Sequence, residues 1–129
     1  MSDAKKPEIG AIGWFDLTVP DAENVRDFYA QVVGWKAQGL DMGEYEDYVM
    51  STPDGRGVAG VCHARGPNAD IPPQWMLYVN VSDLDESLER CKAMGGEPLG
   101  EIRDMGTYGR VAYVRDPAGA ALALIQPPA

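Results

Sequence analysis

Histidine is almost missing from this 129-residue sequence, which has His63 alone and two cysteines, Cys62 and Cys91. Few of the side chains that hold transition metals are therefore available. The cysteines sit in apolar-patterned segments without paired spacing, so they read as buried small hydrophobes in a reduced cytoplasm rather than as a zinc pair. Basic residues are also scarce. Eleven Lys and Arg against twenty Asp and Glu give a formal net charge of -9. That balance repels phosphate backbones, and the scattered basic residues form no patch, which excludes nucleic acid as a partner. The acidity itself reads as a solubility device. Long apolar runs are lacking: none approaches the roughly 18 residues of a membrane span, and the opening MSDAKKPE carries no signal-peptide stretch. No membrane association is expected, and the cytoplasm is the expected location.

What is present is ordinary for a globular chain, 45% apolar and 24% charged residues, at a length that supports one compact core. Leu17 and Val19 alternate with Asp16 and Thr18, so Ile12 to Val19 reads as a half-buried strand, with Trp14 on the face of Asp16 and Thr18. Asp21 offers a helix N-cap, after which Val25, Phe28, Tyr29, Val32 and Val33 recur at helical spacing until Gly34. Strands are expected around Trp35 to Leu40, Tyr45 to Ser51 and Gly57 to Cys62, with the turn Thr52-Pro53-Asp54-Gly55 between the last two.

The same order starts again after the Pro- and Gly-rich linker Gly66 to Pro73. Leu77, Val79 and Val81 alternate with Met76, Tyr78 and Asn80. Asp83 and Glu86 form a capping box before a helix through Leu84, Leu88, Cys91 and Met94, which Gly95 and Gly96 stop. Strands are expected at Glu97 to Ile102, Tyr108 to Arg115 and Ala120 to Gln126, the last two joined by Asp116-Pro117-Ala118-Gly119. Val19-Pro20-Asp21 matches Val81-Ser82-Asp83 at an offset of 62, and Pro53 and Gly55 match Pro117 and Gly119 at an offset of 64. The chain is a duplicated βαβββ unit, with modules at about residues 10–65 and 74–127 of one α+β domain. An isolated unit leaves one sheet face uncovered, so helices are expected outside and a pocket inside.

On Trp14-Phe-Asp-Leu-Thr-Val-Pro-Asp21, Phe28-Tyr29, Gly34-Trp35, Tyr78-Val-Asn-Val-Ser-Asp83, Gly95-Gly96, Asp116-Pro-Ala-Gly119 and Leu124-Ile125-Gln126, the sequence resembles the vicinal-oxygen-chelate superfamily. That superfamily includes glyoxalases, bleomycin-resistance proteins and extradiol dioxygenases. The resemblance implies two tandem modules forming curved mixed sheets around a pocket, and a homodimer, which would also cover concave sheet faces. It also implies metal ligands on the first and last strands of the modules. Those positions fall on Trp14 and Met76, or Trp75 if the register slips, and on Ala123 and Ala59 to Val61. None is a competent ligand, and His63, read as a strand-end or loop residue beside Ala64-Arg65-Gly66, does not make a triad.

No metal and no cofactor is therefore expected. Strand parity sends Trp14, Asp16, Thr18, Met76, Tyr78, Asn80, Ala121 and Ala123 inward as ligand-binding residues. Trp14 supplies an aromatic plate, Asp16 a negative charge and the two alanines room, which suits a planar or cationic small molecule. No nucleophile–base motif is visible, and the sequence nominates no catalytic residue. The function expected is metal-free small-molecule binding. The alternatives are a metal-dependent lyase or dioxygenase of the glyoxalase type, or a metal-free isomerase working through a carboxylate.

Overall fold

The computed structural model describes residues 8–128. Along it run β1 (Ile12–Val19), α1 (Ala22–Val32), β2 (Lys36–Asp41), β3 (Glu46–Ser51), β4 (Gly57–His63), β5 (Trp75–Asn80), α2 (Leu84–Ala93), β6 (Glu97–Asp104), β7 (Arg110–Arg115) and β8 (Ala121–Gln126). The βαβββ order thus occurs twice and the class is α+β. No described helix is long and apolar enough to cross a membrane. By contact, the described chain forms two compact units, residues 14–76 and residues 8–13 with 77–128.

Local chemistry explains the element ends. The Asp21 carboxylate accepts from the Asn24 amide at 3.3 Å and the Asp83 carboxylate from the Glu86 amide at 3.1 Å, each satisfying a donor that an α-helix leaves open at its start. Both helices stop where Gly34 and Gly95 take φ near +84° and +92°, a conformation that side chains with a Cβ resist. Several strand ends differ from the sequence expectation by one or two residues, and two of these differences have a clear local cause. Strand β4 runs one residue past Cys62, so His63, read as a strand-end or loop residue, is its last residue, because Val19 pairs with it and its amide donates to Asp47 Oδ1 at 2.9 Å. Strand β7 begins at Arg110 rather than Tyr108, because Gly106–Tyr108 close a 3-10 turn through the Gly109 amide to the Gly106 carbonyl at 3.0 Å.

In the 14–76 unit the strand order is β2-β3-β4-β1, with β1 and β4 parallel and the other pairs antiparallel. Leu17 and Tyr48 both stand opposite Val61, and Met50 opposite Ala59, so these side chains share one face. They form the core with Val19 and Ala22, against Val25 and Tyr29 of α1. Trp75 turns to the same side, where its Nε1 donates to the Tyr29 hydroxyl at 2.9 Å. The one-residue slip considered for β5 is thus absent, and Met76 faces the other way and is buried.

In the other unit the order is β5-β8-β7-β6. Gly10 and Asn80 join by a 2.8 Å backbone bond and Asn80 and Ala11 by one of 3.0 Å, which ties residues 8–13 to this unit. Helix α2 covers the face of Leu122, Leu124 and Gln126: the Leu84 amide donates to Gln126 Oε1 at 2.7 Å, and Arg110 makes two 3.2 Å bonds to Asp85.

Met50 is fully buried in the first of these cores. Met50→Ala is therefore expected to lower the unfolding free energy by about 2–5 kcal/mol in urea titration, the usual cost of a buried cavity of that size. A loss below about 0.5 kcal/mol, typical of surface changes, would contradict the core assignment.

Candidate functional site

The face of the 14–76 sheet that turns away from α1 is set by the same registers that build the core. Asp16 pairs with Gly60, Thr18 with Cys62 and Val49 with Gly60. Side chains alternate, so Trp14, Asp16, Thr18, Asp47, Val49, Ser51 and Cys62 lie opposite Leu17, Tyr48, Met50 and Val61. Trp14 Nε1 donates to Asp16 Oδ1 at 2.7 Å. Strand β4 makes this possible by placing Gly57 and Gly60 there. A Cβ on Gly60 would overlap Asp16 Oδ1 and come within 3.4 Å of Trp14 Nε1, while one on Gly57 would lie 3.9 Å from Trp14 Cη2. The indole therefore runs along a glycine floor with a carboxylate at its edge.

Thr18, Asp47 and Ser51 are buried polar groups on this face. Burial pushes the Cys62 thiol well above the ordinary range, and the negative charges of Asp16 and Asp47 and a hydrogen bond to Asp47 push it in the same direction. A thiol held protonated is a poor nucleophile. His63 follows it at the end of β4. Its Nδ1 lies 3.4 Å from Asp47 Oδ1, and its ring stands against Tyr45 and Tyr48 at 5.4 and 6.0 Å, so Asp47 bonds to both residues. Cys62, read as a buried small hydrophobe, thus also carries a hydrogen bond to Asp47. It is also not completely buried, and neither is Cys91.

The chelating set of the fold does not fit this chain. Its expected positions hold the Trp14 indole, the Met76 thioether, the Ala123 methyl and, within Ala59 to Val61, Gly60 as the residue sharing the face of Asp16. Among the described residues no group of three or more His, Cys, Asp or Glu side chains converges as a metal would need.

In the other unit, Tyr78 pairs with Ala123 and Asn80 with Ile125, on the face opposite α2. Ala121 and Ala123 are buried there. The Tyr78 and Tyr113 hydroxyls meet at 2.8 Å, and Tyr113 also stands opposite Ala123, so the space over that alanine is spanned by two phenols. Asn80 gives a side-chain hydrogen bond to the Glu8 carbonyl at 3.3 Å and so braces the segment before β1. The sequence-selected residues are therefore divided: Trp14, Asp16 and Thr18 lie on one sheet face, Tyr78, Asn80, Ala121 and Ala123 lie on a face of the other unit, and Met76 of β5 is buried. Sequence reasoning passed over Asp47, Arg103 and Tyr113, took Gly60 only as one of Ala59 to Val61 at a ligand position, and took Cys62 as a small hydrophobe. The alternation of Asp47, Val49 and Ser51 with Tyr48 and Met50 was the available signal for the first.

Gly60→Ala is expected to cost about 1–3 kcal/mol by overpacking against Asp16, and most of that cost should vanish in an Asp16→Ala background when urea midpoints are compared in a double-mutant cycle. Additive costs would contradict the contact. The raised Cys62 thiol has a second consequence. Below the ordinary thiol range both folded and unfolded chains keep that proton. Above it only the unfolded chain releases it, so stability falls as pH rises, with a slope of up to about 1.4 kcal/mol per unit from this group. Cys62→Ala is expected to flatten the alkaline limb of stability against pH, and an unchanged slope would contradict the shift.

The model of the Glyoxalase/Bleomycin resistance protein/Dioxygenase superfamily matches residues 11–124. Among curated proteins, the anthracycline biosynthesis protein DnrV of Streptomyces peucetius is 34% identical over 89% of this chain and 46% of its own length. The chain thus spans about half of that relative. A glyoxylase-like domain-containing protein of Didymella fabae is 27% identical over 77% of this chain and 79% of its own. Among solved structures, methylmalonyl-CoA epimerase from Mycobacterium tuberculosis aligns with a TM-score of 0.58 at 15% identity, covering 98% of this chain and 94% of that one, a likeness of fold. Duplicated βαβββ order, the sheet registers and the match over residues 11–124 agree: the chain belongs to the Glyoxalase/Bleomycin resistance protein/Dioxygenase superfamily.

Proposed function

We propose that this member of the superfamily acts as a single metal-free domain, a cytoplasmic homodimer that binds a planar small molecule on the sheet face of Trp14 and Asp16. The observation that carries the reading is the indole laid along the glycine floor of β4 with its Nε1 held by Asp16 at 2.7 Å. A flat apolar surface fixed in one orientation costs little entropy to use, and the adjacent carboxylate favours a ligand with a positive edge. The donor set supports metal independence, since indole, thioether and methyl groups stand where chelating side chains would be needed. Two curated relatives, 34% and 32% identical, are anthracycline biosynthesis proteins, and anthracyclines are fused-ring compounds of the planar kind that an indole face suits.

A second reading, a metal-free isomerase, is favoured by one feature: Asp16 and Asp47 both act electrostatically on Cys62, so two carboxylates lie close together on one sheet face. Carboxylates in such surroundings can take and return protons.

A thermal-shift screen of planar compounds is expected to yield a stabilising ligand. Trp14→Ala and Asp16→Asn should each weaken its binding by about 0.5–2 kcal/mol while leaving the fold intact. Unchanged affinity in both variants, or unfolding of Trp14→Ala, would overturn the site. One equivalent of a transition metal in the purified protein would overturn metal independence. Turnover of an epimerisable carbonyl compound that Asp16→Asn abolishes would replace binding with the isomerase reading. A concentration-independent monomer in light scattering would remove the dimer.

A further inference from the structure

We infer that the unit of residues 14–76 carries a second small-molecule site, on the α1 side of its sheet, which takes a neutral aromatic molecule bearing one acceptor oxygen. This goes beyond the site on the Trp14 face and does not depend on it. A cavity of about 400 Å³ lies there, bounded by Leu17 of β1, by Val25, Phe28 and Tyr29 of α1 and by Trp75. Its volume falls within the roughly 300–1,000 Å³ of small-ligand pockets. Leu17 faces the helix, so the cavity lies across the sheet from the Trp14 indole and the Asp16 carboxylate.

Three features of the wall set the ligand class. The first is aromatic geometry. Phe28 meets Tyr29 edge to face at 5.1 Å and 89°, Tyr29 meets Trp75 at 5.3 Å and 78°, and Trp75 meets Trp35 at 6.0 Å and 79°. Each ring braces the next, yet Phe28 remains 54% exposed. A large apolar ring held in place and left half uncovered gains from a further ring packed against it, in the edge or offset contacts that aromatic groups prefer. The second is charge. Apart from the Tyr29 phenol, no lining residue is ionisable, and the remaining polar groups are the amides of Asn24 and Gln74. An ion entering this space would lose its water without meeting an opposite charge, so the ligand is neutral. The third is a donor in excess. Trp75 Nε1 donates to the Tyr29 hydroxyl at 2.9 Å. That bond uses the oxygen of the hydroxyl and not its proton, so the pair holds two donors for one bond. One acceptor oxygen on the ligand completes it.

The probe is 1-indanone, with two controls: indane, which lacks the oxygen, and indane-1-carboxylate, which carries a charge. In NMR spectra of the ¹⁵N-labelled chain, 1-indanone is expected to move the Trp75 Nε1–H resonance saturably and to leave that of Trp14 in place. The carboxylate should bind at least about tenfold more weakly. Phe28→Ala should weaken 1-indanone binding about fivefold, the share of one ring contact, and Asn24→Trp, which adds bulk at an exposed lining residue, should block it. Tyr29→Phe frees the indole N–H to reach the ligand oxygen instead. The affinity ratio of 1-indanone to indane should therefore fall by its full amount, about fivefold, only in the Tyr29→Phe/Trp75→Phe double variant. Urea midpoints report folding, and if the double variant is unfolded the two controls and Phe28→Ala still decide. No saturable shift at Trp75, equal binding of the carboxylate, or an affinity untouched by both Phe28→Ala and Asn24→Trp would overturn the inference. Shifts confined to Trp14 would place the probe on the opposite face, which sinks this inference and leaves the Trp14 site in force.

Discussion

The parallel pairing of β1 with β4 is the constraint on which the 14–76 unit depends. One register does two things: it sets Leu17 against Val61 under α1 and Asp16 over Gly60 on the opposite face. A slip of one residue would exchange the faces, placing the Asp16 carboxylate and the Trp14 indole beneath the helix and Leu17 outside. Burying an unpaired carboxylate costs several kcal/mol, and exposing Leu17 and Val19 forfeits about 1.5–3 kcal/mol each. The hydrophobic core therefore enforces the geometry of the candidate site, and no separate device is needed to hold it.

The two sheet faces that bear the candidate residues differ in chemistry although the modules repeat. The first is acidic and aromatic, with Trp14, Asp16 and Asp47 around a protonated Cys62 thiol. The second is phenolic and cationic, with Tyr78, Tyr113 and Arg103. The two βαβββ runs share what the fold requires, namely the helix caps Asp21 and Asp83 and the glycines that end the helices. Residues on the faces away from the helices carry no such burden and differ between them.

The same distinction explains how much was legible beforehand. Period-two alternation in β1 and β5, capping residues and Pro-Gly turns are local signals, and each followed from a short stretch of sequence. Hence Trp14, Asp16 and Thr18 could be assigned to one face, and Tyr78 and Asn80 to another, before any coordinates. Partners across strands could not. Tyr113 lies 35 residues beyond Tyr78, and only the pairing of both strands with β8 brings the hydroxyls together. The irregularity between Leu99 and Arg103 breaks the alternation that would have assigned Arg103 to a face. Gly60 was read as one of three residues at an empty ligand position. Its part became visible only with the Asp16 side chain lying where its Cβ would be. Cys62 was misjudged for a related reason: its polar neighbour Asp47 comes from an adjacent strand, so the apolar run around the cysteine concealed it.

The glycine at that position also bears on chemistry. A side chain projecting from β4 at residue 60 would occupy the volume that Asp16 now fills, so a carboxylate reaches the face from β1. That carboxylate is tied to an indole N–H, an arrangement that orients it as a hydrogen-bonding and charge-complementing group. At the positions where the family resemblance implies chelating side chains, the chain holds indole, thioether, methyl and glycine, and the polar groups beside them are the carboxylates of Asp16 and Asp47.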